Sequence, residues 1–206
     1  VTLGSVASGA DLFQFTFDGS TNYLASSSAD FNNTGTDLTI GMWVKRPTTG
    51  GSGPYQKVLT HGDTESSRNY WLSAGDSFFD YPIEEDPYFF GVKTDQGFGA
   101  ASVQTTPEAN TWEFIVGTYD GSNIKIYRNG TLEQSVSHTG SLVNTPETLR
   151  LGYGYGSEYF EGSIALPFVT PTVYTLEQIQ STFNLTSTWF ASTATITLQG
   201  DGLGVE

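Results

Sequence analysis

The densest chemistry in the chain lies in Asp76–Pro87, DSFFDYPIEEDP, where Asp80, Glu84, Glu85 and Asp86 stand beside Phe78, Phe79 and Tyr81. Clustered carboxylate oxygens suit a hard cation, calcium above all, while Phe79 and Tyr81 offer apolar area for a ligand or protein contact. Neither EF-hand spacing nor a Gly-Asp repeat accompanies them. The segment therefore reads first as a solvated insertion whose aromatics pack back, then as a protein contact, then as a cation site. A second candidate is Leu151–Tyr159, LGYGYGSEY, which sets Tyr153, Tyr155 and Tyr159 among glycines. Exposed tyrosines supply wide contact area at low entropic cost, so these three are expected ligand-binding residues, with ordinary packing as the competing reading.

Other chemistries lack their residues. Retaining glycoside hydrolysis needs two carboxylates about 5 Å apart across a cleft. The alternating E-x-D-x-x-E that would put them on one strand is missing, and Glu84-Glu85-Asp86 are consecutive and followed by Pro87. His61 and His138 stand in no metal-ligand spacing, and no G-x-S-x-G elbow is present. The absence of cysteine removes thiolate metal sites, disulfides and thiol nucleophiles together. The expectation is a protein that is not an enzyme. Asn32, Asn129 and Asn184 begin N-x-T sequons, of which Asn129-Gly130 is already explained as turn chemistry.

The surroundings of these candidates read as β structure. The chain has 24 Gly among its 206 residues, 14% aromatics and only 15% charged residues, a strand-and-turn composition with enough apolar material for a sizeable core. Eight basic against 22 acidic residues give a formal charge of −14, which repels phosphate backbones and anionic bilayers. Neither nucleic acid nor membrane is an expected partner, and no apolar run approaches the ~18 residues of a membrane span.

Period-2 alternation marks strands at Leu12–Phe17, Tyr23–Ala25, Leu38–Lys45, Lys57–His61, Asn69–Ala74, Tyr88–Lys93, Ala100–Gln104, Thr148–Tyr153, Gly162–Val169 and Thr193–Leu198. Pro167 predicts an edge position or a bulge. In Thr111–Thr131 the runs from Trp112 and from Ile124 are joined by Asp120-Gly121-Ser122-Asn123 and followed by Asn129-Gly130, a hairpin with a third strand turning back. Trp112, Phe114 and Val116 are its expected core face. Thr175 with Gln178 forms a capping box ahead of a helix over 176–184, with Leu176, Ile179 and Phe183 on its buried face. About a dozen short strands at ~10-residue spacing predict an all-β, antiparallel, two-sheet jelly-roll sandwich with one short helix. Its expected extent is 11–198, with an N-terminal arm at 1–10 and a tail at 199–206.

Several of these stretches share an order with a known family. FDGSTNYLASS, LTIGMWVK, NTWEFIVGTYDGSNIKIYRNGT, LRLGYG, FEGSIALPFV and YTLEQIQ, over about Phe13–Phe183, resemble the laminin-G-like, concanavalin A-like lectin-glucanase jelly rolls. That resemblance implies the sandwich fold and a functional range of lectins, adhesion modules, virion proteins and glycanases. Many members carry an Asp on a late G-x-I-D strand that helps hold calcium; here the run is Gly162-Ser163-Ile164-Ala165. The expected function is a non-catalytic structural and recognition module on a particle such as a virion, in capsid decoration or a fibre. It would contact protein subunits of a larger assembly or a surface glycan, as a homo-oligomer if the arms add strands to a neighbour. A secreted carbohydrate-binding or adhesion module is the alternative. The expected location is extracellular or the virion surface.

Overall fold

The computed structural model describes residues 14–26, 31–47, 56–62, 64, 67–75, 87–143, 147–156 and 158–190. The acidic aromatic segment 76–86, both arms and the expected strand Thr193–Leu198 lie outside the described residues.

In chain order the strands are β1 (Gln14–Asp18), β2 (Leu24–Ala25), β3 (Asp37–Lys45), β4 (Gln56–His61), β5 (Tyr70–Ala74) and β6 (Tyr88–Thr94). They continue with β7 (Gly97–Ser102), β8 (Trp112–Asp120), β9 (Asn123–Arg128), β10 (Thr131–Ser137), β11 (Leu149–Leu151) and β12 (Glu161–Thr170), and α1 spans Leu176–Phe190. All pairings are antiparallel, in two six-stranded sheets ordered β1-β12-β3-β8-β9-β10 and β2-β11-β4-β5-β6-β7. The expected two-sheet antiparallel sandwich with one helix is the observed architecture.

Alternation decides what each sheet buries between them. Leu38, Ile40, Met42 and Val44 of β3, with Ile124 and Ile126 of β9 in the same sheet, share one core with Tyr70 and Leu72 of β5 and Phe90 and Val92 of β6 in the other. The close approach of the sheets is visible at Gly117, where an added Cβ would lie 2.2 Å from the Phe90 ring. Any larger residue at that point would push the sheets apart.

A second apolar layer lies on the outer face of the first sheet. Ile179, Phe183, Thr186 and Phe190 fall on one stripe of α1. Trp43 stacks on Phe190 and Phe183, at ring-centroid distances of 4.3 and 5.7 Å, and its indole N–H donates to Thr186 Oγ1 at 2.9 Å. Phe114, Val116 and Ala165 join this layer, while Ile115 and Tyr119 face the inter-sheet core. Phe114 and Val116 are core residues as expected, beneath α1, with Trp112 packed against them; the face expected to be wetter, with Ile115 and Tyr119, is buried as well, between the sheets.

The helix also runs six residues past its expected end at Asn184, to Phe190. Thr182 and Thr186 bond back to the carbonyls of Gln178 and Thr182, and aromatic packing on Trp43 outweighs their weak helix propensity. Leu176, expected to be buried, is 45% exposed, since the first turn overhangs the sheet. The capping box forms as expected, with Thr175 N–H on Gln178 Oε1 at 2.8 Å and Gln178 N–H on Thr175 Oγ1 at 3.2 Å.

Two turns follow the sequence signals closely. Asn129 and Gly130 take positive φ of 50° and 78° between paired Arg128 and Thr131, the two-residue hairpin loop that Asn-Gly favours. Pro167 sits in a bulge of β12 between Ala165 and Phe168, with Leu166 at φ 49°, in a strand flanked on both sides. Of the two expected outcomes for that proline, the bulge is the one observed.

Candidate functional site

The tyrosine-rich segment is built on the short strand β11, which lies between β2 and β4. After Leu151 the chain turns at Gly152 (φ 79°) and forms a small hairpin bridged between Tyr153 and Tyr159. Gly154 N–H donates to Glu158 O at 3.1 Å, and Phe160 N–H donates to Gly152 O at 3.0 Å, closing it. The hairpin is tied to β4 as well. Gly152 N–H donates to Val58 O at 3.0 Å, and Thr60 Oγ1 donates to Tyr153 O at 2.9 Å. These bonds hold the aromatic segment to the sheet.

A fourth tyrosine comes from the other neighbour. β2 pairs with β11 through Ala25–Arg150 and Leu24–Leu151, which sets the preceding Tyr23 beside Tyr153. The rings of Tyr23 and Tyr153 stack at 4.9 Å with an interplanar angle of 29°, and Tyr153 meets Tyr159 at 4.8 Å and 47°. Tyr155, at the hairpin tip, is 60% exposed and Tyr23 is 45% exposed. Of the three tyrosines expected from the sequence, the fold brings Tyr153 and Tyr159 into ring contact and leaves Tyr155 at the hairpin tip without a ring contact among the described residues. Sequence reasoning missed Tyr23, whose only signal was the weak Tyr23–Ala25 strand. Phe79, Tyr81, Asp80, Glu84, Glu85 and Asp86 lie outside the described residues, and with them the expected calcium site.

The turn that delivers Tyr23 is the FDG motif. Asp18 Oδ1 accepts from the N–H groups of Ser20, Thr21 and Asn22 at 2.9, 2.8 and 3.2 Å, and Oδ2 accepts from the Thr21 hydroxyl at 2.5 Å. The Thr21 hydroxyl and N–H, then the Ser20 N–H, hold this carboxyl far below the usual carboxylate range. Its role is to shape the β1–β2 turn.

Behind the hairpin, the guanidinium of Arg68 lies over the Trp71 ring at 5.1 Å and 3.7 Å from Glu158 Oε2. This belongs to a pattern covering every cation in the chain, since all eight Lys and Arg are among the described residues. Lys45, Arg46 and Lys93 lie 5.0 Å over the rings of Trp112, Tyr88 and Phe98. Lys125 pairs with Asp120 at 3.1 Å, and Arg128 with Glu113 and Glu133 at 3.3 Å each. Lys57 is buried and Arg150 half-buried, and each has an interaction within the protein. None of the eight is exposed.

The remaining titratable candidates are structural. His61 is fully buried, stacks on Tyr70 at 5.0 Å and is pushed down to about 4 by burial, an effect the Glu147 backbone partly offsets. His138 Nε2 lies 3.0 Å from Thr94 Oγ1. Glu113 is buried between the sheets and its pKa is raised, burial outweighing its pairing with Arg128. Ala165, which stands where the family resemblance implies an Asp, is packed beneath α1. Among the described residues no group of three or more His, Asp or Glu could hold a metal ion. No helix among them is long and apolar enough to cross a membrane.

The sequence matches the model of the concanavalin A-like lectin/glucanases superfamily over residues 18–180. The chain belongs to that superfamily. No curated protein matches it. Among solved structures, domain 4 of AbnA, a GH43 extracellular arabinanase from Geobacillus stearothermophilus in complex with arabinotriose, is similar. Its TM-score is 0.62 at 13% identity, over 81% of this chain and 74% of that one. The heptameric SAP-like pentraxin of Limulus polyphemus gives 0.62 at 14% identity, over 82% and 81%. The ligand binding domain of botulinum neurotoxin serotype D, in complex with N-acetylneuraminic acid, gives 0.63 at 13%, over 84% of this chain and 42% of that one. At such identities these likenesses concern the fold.

Proposed function

We propose that this member of the concanavalin A-like superfamily is a non-catalytic recognition module that binds carbohydrate at the tyrosine rim of the β2–β11 edge. The observation that carries the reading is the aromatic cluster itself. Tyr153 and Tyr159 meet on a hairpin bonded to β4, Tyr23 stacks on Tyr153 from the β2 side, and Tyr155 at the hairpin tip is 60% exposed. Exposed rings held rigid on a sheet are the apolar bodies with polar tips that sugar faces accept. The carboxylate in this segment, Glu158, is engaged by Arg68, an arrangement for positioning rather than proton transfer. Fluorescently labelled chain on a glycan microarray is expected to bind, and incubation with bound polysaccharides is expected to release no reducing ends. Absence of binding to any glycan removes the reading; release of reducing ends removes its non-catalytic part.

Display on a particle surface, such as a virion, with subunits of a larger assembly as partners, is the finer form of this reading. What supports it is the surface charge: a formal charge of −14 with no exposed Lys or Arg keeps densely displayed copies soluble. Electron microscopy of particles from the native source, labelled with an antibody to this chain, tests it; unlabelled particles would count against display.

A further inference from the structure

Resting on the carbohydrate reading, the geometry points to Tyr23 and Tyr155, not Tyr153, as the rings that meet the ligand, and to an uncharged polysaccharide as that ligand. Tyr153 contacts both Tyr23 and Tyr159, whereas Tyr23 and Tyr159 make no ring contact with each other. Tyr153 is therefore engaged by two rings of the protein and is itself half-buried, which leaves it less ring area than Tyr23 or Tyr155. Its carbonyl is also held by Thr60, so the ring works as a spacer that fixes the platform. Tyr23 gives one face to Tyr153 and, at 45% exposure, keeps area for a ligand. Tyr155, at 60% exposure, makes no ring contact with any described residue.

The chemistry of the ligand follows from the cations. An anionic glycan, whether a uronate or a sulfate ester, is recognised by Arg or Lys with free donors. Each of the eight such residues in this chain already has a partner within the protein, and none is more than partly exposed. With 22 acidic residues against them, a polyanion meets repulsion without a compensating contact. Stacking on tyrosine rings needs no charge. An uncharged sugar chain is what remains compatible with both observations.

The test is affinity electrophoresis of the full chain in native gels. Laminarin, arabinan, xyloglucan and soluble starch serve as uncharged probes, and polygalacturonate and heparin as anionic ones. At least one uncharged probe is expected to retard the protein, about equally at low salt and at ~0.15 M ionic strength. Tyr23→Ala and Tyr155→Ala are each expected to weaken that binding by roughly tenfold or more, as loss of an anchoring ring does. Tyr23→Phe keeps the ring and is expected to stay within about threefold. Tyr153→Phe, which keeps the spacer, is expected to leave affinity within about twofold. Thermal melting of each variant checks the fold. Retardation by an uncharged probe that both alanine variants leave unchanged overturns the platform while the carbohydrate reading stands. Retardation by the anionic probes alone overturns the ligand class. No retardation by any probe overturns the inference and the reading beneath it together.

Discussion

Acid is expected to destabilise this protein through His61 at a pH well above that of ordinary carboxylate titration. The ring is fully buried against Tyr70, and neither nitrogen has a hydrogen-bond partner of good geometry. Burial disfavours the imidazolium and lowers the pKa from 6.5 to about 4 in the folded chain. The unfolded chain therefore takes up a proton before the native one does. The stabilisation is complete above about pH 6.5 and is lost progressively as pH falls towards 4. At ~1.4 kcal/mol per pKa unit, that shift corresponds to about 3 kcal/mol, or roughly 6–12 °C in Tm for a chain of this size. Glu113, whose pKa is raised, works the other way, favouring the fold as pH falls towards the carboxylate range. A variant is needed to separate the two. His61→Phe keeps a flat ring against Tyr70 and removes both unpartnered nitrogens. Urea denaturation followed by tryptophan fluorescence, from pH 7.5 to 4.5, should show most of the acid slope in the parent and little of it in His61→Phe. The variant should also be at least as stable as the parent at pH 7. Equal slopes in the two proteins, or an NMR titration placing His61 near 6.5, would refute the reasoning.

Two further outcomes follow from buried polar contacts. Thr186→Val keeps the shape of the stripe on α1 but leaves the Trp43 indole N–H, now donating at 2.9 Å, without an acceptor; a loss of about 1–3 kcal/mol is expected in urea denaturation. Arg128→Met strands Glu113, which is 3% exposed and paired at 3.3 Å, and is expected to cost about 3–5 kcal/mol at pH 7. That loss should shrink as Glu113 is protonated; a cost independent of pH would assign the effect to packing alone.

Some of these features were legible from local order and some were not. The β3 alternation, the Asn129-Gly130 loop and the Thr175–Gln178 cap each depend on residues within a few positions of one another, and each appears where expected. Phe114 and Val116 build core as their alternation implies, but that β8 is buried on both sides was not legible: Ile115 faces the sheets' common core and Phe114 faces α1. Alternation says that a strand has two faces and does not say which one a distant helix will cover. The odd position of Trp43, opposite Leu38, Ile40, Met42 and Val44, was the one local sign of a second layer. The helix end was missed for a related reason. Thr182, Thr186 and Ser187 are poor helix formers, and only packing on Trp43 and Trp112 carries the chain to Phe190.

From sequence alone this chain is determined as an antiparallel β sandwich with an acidic surface, a capped helix and a tyrosine-rich turn, because composition, period and turn chemistry are local quantities. The tertiary structure decided which tyrosines face outward. Tyr23 and Tyr153 are far apart in the chain and meet only because β2 pairs with β11, and that meeting occupies Tyr153 while leaving Tyr23 and Tyr155 open. It also turned a count of eight cations into a surface with none exposed, since burial and pairing depend on neighbours that the order of residues does not display.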